Sequence, residues 1–345
     1  MTGHAATVRA SAASWPRRLL DTNLGRLALI TILVFVGMSA AEPTLFFTQA
    51  NFSSMAFQFP EFAILGLAVM VSMLTGGIDL SVIGLANLSA MLAVLVMRSF
   101  APDPHAAHVA PAIALGVAAL LSVGAVGGLL NGFAIAAVGI PPILATLGTG
   151  LIFTGIAVVL SGGAAVLGLP DAISVLGNGA VVGVPAPVLL FAALAAAVAF
   201  GLNWTGFGLR VYLLGTNPLA ARFAGIDNFR VTLGAYLISG LLSALAGLVI
   251  AVRANSAKAD YGSSYLLLSI LIAVLGGVDP YGGFGKVSGL VLAVLSLQFL
   301  SSGLNLLQVS NFAVDMTWGA LLLLVMVVNT GGWKRLFAAR SRRQG

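Results

Sequence analysis

Apolar residues run along this chain in long blocks, interrupted by Gly, Pro, Asn or charge. Many blocks approach the roughly 17 to 25 residues that a helix needs to cross the hydrocarbon of a bilayer. Ten are readable: Leu27 to Ala41, Glu61 to Leu74, Leu80 to Met97, Ala110 to Leu130, Ile143 to Leu160, Ala186 to Leu202, Val231 to Val252, Tyr265 to Leu275, Val287 to Leu304 and Phe312 to Val328. The second and eighth are short for a full crossing, so broken or tilted helices are expected there. The pattern predicts an all-α, polytopic membrane helix bundle of about ten transmembrane helices.

Composition agrees. Of 345 residues, 59% are apolar and 8% charged, whereas soluble domains carry about a quarter charged residues. With no cysteine, disulfides and thiolate metal sites are excluded. The net charge of +6 would suit nucleic acid, but the basic residues flank apolar blocks and form no basic amphipathic face, so membrane lipid is the expected partner and nucleic acid is not.

Lys and Arg in short loops stay on the cytoplasmic side. An even number of crossings puts both termini inside, together with 13 of the 16 basic residues; only Arg98, Arg253 and Lys258 fall outside. The first block, with arginines before it and Ser39-Ala40-Ala41 after it, has the outline of a cleaved signal peptide. Its long polar lead, and the charge asymmetry that cleavage would spoil, favour a retained span. The whole chain, 1–345, reads as one transmembrane domain, with a cytoplasmic tail at 1–24, a cytoplasmic loop at 204–230 and a basic cytoplasmic tail at 332–345.

The string Thr75-Gly76-Gly77-Ile78-Asp79-Leu80-Ser81 joins two apolar blocks with almost no loop. It reads as a helix break in which Asp79 or Ser81 can accept from the orphan N–H groups of the next helix. Inside hydrocarbon such a break is tolerated only where protein or a water-filled cavity satisfies it. An intramembrane Asp79 would lie on or beside a solute path; an ordinary interfacial turn accounts for the string equally well. A second Gly-Gly-Val-Asp occurs at Gly276, Gly277, Val278 and Asp279, continued by Gly282, Gly283, Gly285 and Lys286. The two strings hint at related halves, though four residues do not establish a repeat. Gly285-Lys286 is followed by Val287, not by Ser or Thr, so no nucleotide-binding loop is formed.

Within 204–230, Gly215-Thr216-Asn217-Pro218 predicts a short helix capped by Asn217 and ended by Gly225. Its small residues Ala220, Ala221 and Ala224 leave room for a partner surface, though a plain interfacial helix would look the same. Gly124, Gly128 and Gly132 form one small-residue stripe; Gly240 and Ala244, with Ser243 and Gly247 on a neighbouring face, form another. Such stripes let membrane helices approach closely. His105, His108 and Asp103 make a poor metal set, and no nucleophile and base can be paired, so neither metal, cofactor nor enzymatic activity is expected.

Leu74 to Ser81, Leu129 to Gly148, Gly215 to Ile226 and Leu275 to Gly289 together resemble the permease subunits of bacterial ATP-binding-cassette importers for ribose and related monosaccharides, a family that includes autoinducer-2 permeases. The resemblance covers about Phe57 to Asn329. It implies a second permease chain, identical or a sister, two cytoplasmic ATPase subunits and an extracytoplasmic solute-binding protein, in a bacterial inner membrane. It also implies that Gly215, Asn217, Ala220, Ala221 and Gly225 belong to the piece that docks on the ATPase. A neutral sugar-like cargo would need scattered polar groups, for which Asn87, Ser89, Thr146, Thr149, Asn305 and Gln308 are candidates. The alternative, an ion-coupled secondary transporter, would need carboxylates deep in several helices, whereas the acidic residues here sit near block ends or in loops.

Overall fold

A computed structural model of the chain describes residues 23–101 and 108–329. Most of the two basic tails, with Asp103 and His105, lies outside the described residues. The helices are, in order, α1 Asn23–Ala41, α2 Gln49–Leu74, α3 Val82–Phe100, α4 Val109–Ala136, α5 Pro142–Ser161, α6 Asp171–Asn178, α7 Ala186–Trp204, α8 Gly206–Thr216, α9 Pro218–Phe223, α10 Asn228–Ala254, α11 Tyr265–Leu275, α12 Val287–Leu306 and α13 Asn311–Asn329. Among the described residues nine of these are long and apolar enough to cross a membrane, and α11 is a shorter apolar helix.

The bundle has a centre and a rim. Over one apolar 18-residue stretch of each helix, the buried share is 83% in α2, 67% in α3 and 78% in α10, against 11% in α1 and α13. Helices apolar on every side either fill a core or face lipid, and the rim exposes Val159, Leu151 and Phe312. The two small-residue stripes meet each other: a β-carbon on Gly124 would stand 2.6 Å from Ala244 Cβ, and one on Gly240 2.9 Å from Gly128 Cα. Gly247, on the neighbouring face of α10, lies against the Ala86 backbone of α3.

One expectation about the spans needs correction. The second block is not short: α2 begins at Gln49, with Thr48 as its N-cap, and passes through Pro60. Its polar opening, Gln49, Asn51, Ser53, Ser54 and Gln58, hides it from a hydropathy reading. Glu61 is therefore twelve residues inside a helix rather than at its start. There it is 7% exposed and paired with Arg253 of α10 at 3.1 Å; Tyr265 O–H donates to its other oxygen at 2.9 Å and Arg253 Nη1 also donates to the Phe57 carbonyl at 2.7 Å. Between α5 and α7 the chain forms α6 and three short strands: β1 Val166–Leu167 pairs with β4 Ser256–Ala257 after α10, and β2 Ala180–Val181 pairs with β3 Val184–Pro185.

Breaking a buried ion pair strands a charge at about 3–5 kcal/mol, whereas replacing both partners by apolar groups is often neutral. Arg253→Met is expected to lower the detergent-solubilised chain's unfolding temperature sharply, and the double variant Glu61→Leu/Arg253→Met to recover most of the loss.

Candidate functional site

The break between α2 and α3 is buried within the protein. Asp79 is 0% exposed. Its Oδ1 accepts the Ser81 N–H at 2.9 Å and the Ser81 O–H at 2.6 Å, and its Oδ2 accepts the Ser239 O–H of α10 at 2.8 Å. Of the two capping residues expected, Asp79 is the acceptor, and the Ser81 hydroxyl is committed to it. Asn131 of α4 donates to Ser81 Oγ at 2.7 Å and accepts from Thr149 of α5 at 2.5 Å. Thr146 accepts the Leu80 N–H at 3.0 Å, and Ser72 accepts the Asp79 N–H at 3.3 Å. Four helices thus close on one interruption, as burial requires of any freed backbone group. Among the described residues no basic side chain forms an ion pair with Asp79, so three donors hold the carboxylate.

Just before the break the chain makes a backbone junction of three segments that are distant in sequence. Gly76 turns the chain with φ +87°, a conformation that costs a residue with a β-carbon. Gly283 N–H donates to the Leu74 carbonyl at 2.9 Å. Gly215, on α8, presses against that same carbonyl and against Gly283 N. A β-carbon on Gly282 would lie 2.6 Å from Gly76 N and 3.0 Å from Gly215 Cα, and Gly283 abuts Thr216. Tyr212 O–H of α8 donates to the Gly285 carbonyl at 2.9 Å. The junction therefore unites residues from all three glycine-bearing strings.

The two Gly-Gly-aliphatic-Asp strings are not equivalent. Positive φ falls on the first glycine of one, Gly76, and on the second of the other, Gly277. Asp279 is partly exposed and closes its own loop, accepting the Tyr281 N–H at 2.9 Å while its N–H donates to Phe284 O at 2.9 Å. Gly276 lies against α12, where a β-carbon would come within 2.8 Å of Leu290. Gly77 abuts the Tyr236 ring oxygen, at 2.5 Å from its would-be β-carbon.

Beyond α8 the six-residue α9 opens with Asn217, whose Oδ1 accepts the N–H of Leu219 at 3.1 Å and of Ala220 at 3.0 Å. Gly225 follows its end with φ +79°. Ala221 turns inward, 4% exposed, so it offers no surface to a partner; Leu219 at 64% and Phe223 at 85% do, beside Ala220. Asn131, Ser239, Leu219 and Phe223 were not singled out from sequence. A lone polar residue inside an apolar helix was the available signal for the first two.

Of the polar candidates for a solute path, Thr146 and Thr149 serve the break. Asn87 donates to the Ala259 and Tyr261 carbonyls at 2.9 Å each, while Ser89 is buried without a partner. Asn305 and Gln308 lie at the C-terminal end of α12. Among the described residues no three His, Cys, Asp or Glu side chains gather to hold a metal.

The model of the family described as "Branched-chain amino acid transport system / permease component" matches residues 51–328, a span that takes in the break, the junction and α9. The autoinducer 2 import system permease protein LsrD of Escherichia coli (strain K12) is 30% identical over 310 residues, 87% of this chain and 90% of that protein. The protein of the same name from Shigella flexneri gives the same figures. No solved structure matches the chain.

Alanine in place of a mid-helix glycine ordinarily adds roughly 0.5–1 kcal/mol. Gly201→Ala, on α7 with nothing within 4 Å of the added carbon, is expected to stabilise the chain by that amount. Gly215→Ala, at the junction, is expected to destabilise it by about 1–3 kcal/mol, the cost of overpacking. Thermal unfolding of the two variants side by side checks the opposite signs.

Proposed function

Since the chain belongs to the family of branched-chain amino acid transport system permease components, we propose that it is the membrane-spanning permease subunit of an ATP-binding-cassette importer that admits a sugar-like solute. The protein resides in the bacterial inner membrane and hydrolyses no ATP itself. Its partners are a second permease chain, cytoplasmic ATPase subunits and an extracytoplasmic solute-binding protein. The likeness to permeases of an autoinducer 2 import system supports a sugar-like cargo over an amino acid.

The observation that carries this reading is the contact of Gly215 with the Leu74 carbonyl. A permease driven from outside needs a stiff link between the part that is gripped and the part that gates. Here α9 presents Leu219 and Phe223 outward, and the neighbouring α8 meets the Leu74 carbonyl at Gly215, which has no side chain. At that contact no flexible side chain intervenes, so a shift of α8 and α9 is passed to Gly76, and from there to the hydrogen-bonded segment around Asp79. The loop 204–230 then faces the cytoplasm, as its arginines require, and α9 seats in the ATPase with Leu219, Ala220 and Phe223 against it. Gly215, Asn217 and Gly225 shape and place this piece, and Ala221 anchors it from within.

Ion coupling has less to recommend it. Glu61 is engaged by Arg253 and Asp79 by three donors, so both buried carboxylates are already satisfied.

In a complex reconstituted from permease, ATPase and binding protein, Phe223→Asp is expected to reduce solute-stimulated ATP hydrolysis at least tenfold while the chain still inserts. Stimulation equal to that of the unaltered complex would remove the docking role from α9.

A further inference from the structure

At the C-terminal end of α12, between α2, α11, α12 and α13, lies an open polar cavity of about 270 Å³. Tyr265 and Trp318 give it aromatic walls, and Gln298, Asn305, Asn311 and Asp315 give it polar ones. Gln298 is 2% exposed, and among the described residues neither the nitrogen nor the oxygen of its amide has a hydrogen-bond partner. An unmatched buried polar group costs about 1–3 kcal/mol, and here two such atoms sit on one side chain beside an open volume.

From this geometry we infer that the cavity binds the permease's cargo, one neutral, polyhydroxylated small molecule of the monosaccharide class, with Gln298 as a principal contact. The inference rests on the importer reading and deepens it.

Three features select the ligand. Amides both donate and accept, and a hydroxyl does the same, so Gln298, Asn305 and Asn311 complement a molecule whose every edge is a hydroxyl. The aromatic rings of Tyr265 and Trp318 offer apolar area to the carbon face of a sugar ring, in keeping with pockets that are mostly apolar with few orienting polar groups. Among the described residues no basic side chain lines the cavity, and Arg253, which neighbours Tyr265 around Glu61, is already paired at 3.1 Å. A carboxylate-bearing cargo would therefore be left unpaired. An amino acid could place its ammonium at Asp315 but would have nothing for its other charge, and burying an unpaired charge is prohibitive. The volume equals that of roughly nine waters at ~30 Å³ each, room for one small ring.

The test uses the full chain in lipid nanodiscs with Trp15, Trp204 and Trp333 replaced by Phe, which leaves Trp318 as the one tryptophan. Titration with D-ribose, D-xylose and D-galactose is expected to give a saturable change in Trp318 emission with at least one sugar, and L-leucine none. Gln298→Leu is expected to weaken that binding at least tenfold without lowering the unfolding temperature, because it removes the orphan amide. Asn305→Ala, at an exposed position, should weaken it several-fold. Sugar binding undiminished in Gln298→Leu, a leucine response equal to the sugar response, or no saturable response to any of the three sugars would overturn the assignment. Sugar-stimulated ATP hydrolysis in the reconstituted complex separates the two readings. If stimulation occurs and survives Gln298→Leu, the importer stands and this site falls. If the unaltered complex shows none with any of the three sugars, the sugar-importer reading itself fails and takes the assignment with it.

Discussion

A helix that ends inside a protein must find partners for the amides it frees, and here the Asp79 carboxylate and the hydroxyls of Ser72 and Thr146 take the N–H groups of Ser81, Asp79 and Leu80. Asp79 accepts from Ser81 twice and from Ser239 once. Asn131 and Thr149 extend the set to α4 and α5. The segment is therefore held by hydrogen bonds from four directions rather than by a packed apolar side chain. Hydrogen bonds of this kind are individually modest, about 1 kcal/mol net, so such a segment is well fixed yet open to rearrangement as a unit.

In the proposed function, what moves the unit is a contact with almost no side chain in it. Leu74, Gly76, Gly215, Gly282 and Gly283 bring three backbones together, and the closeness is possible only because four of the five residues lack a β-carbon. In the proposed function this is why force reaches the break undamped. The same logic of small residues joins α4 to α10 through Gly124, Gly128, Gly240 and Ala244, which fixes the frame against which the break shifts. Lipid supplies no hydrophobic drive between helices, so close backbone packing does that work.

Much of this was legible in the chain itself. Apolar blocks gave the spans because hydrocarbon leaves helices few alternatives, and the glycine strings marked where the spans are interrupted. Asn217, Pro218 and Gly225 gave α9, since capping depends on local residues alone. The rest depended on distance. The opening of α2 is polar because it faces the rim and the cavity, and hydropathy therefore missed it. Glu61 and Arg253 lie 192 positions apart, and nothing local announces their pairing. Ala221 differs from Ala220 only in which way a single turn of helix faces. Gln298 sits inside an apolar block, where one amide is easily read as incidental. The two Gly-Gly-aliphatic-Asp strings look alike in letters but bend at different glycines, so likeness over four residues did not carry over into conformation.

The central claim is that α9 is gripped by an ATPase and that Gly215 relays its movement. The chain has no native cysteine, so a single one placed at Ala220 can be labelled with benzophenone-maleimide and photo-cross-linked in the assembled complex without a second thiol. The account predicts a covalent adduct between permease and ATPase from Ala220→Cys, and none from Ala221→Cys, whose side chain is buried. Cross-linking from Ala221→Cys and not from Ala220→Cys, or from neither, would contradict it.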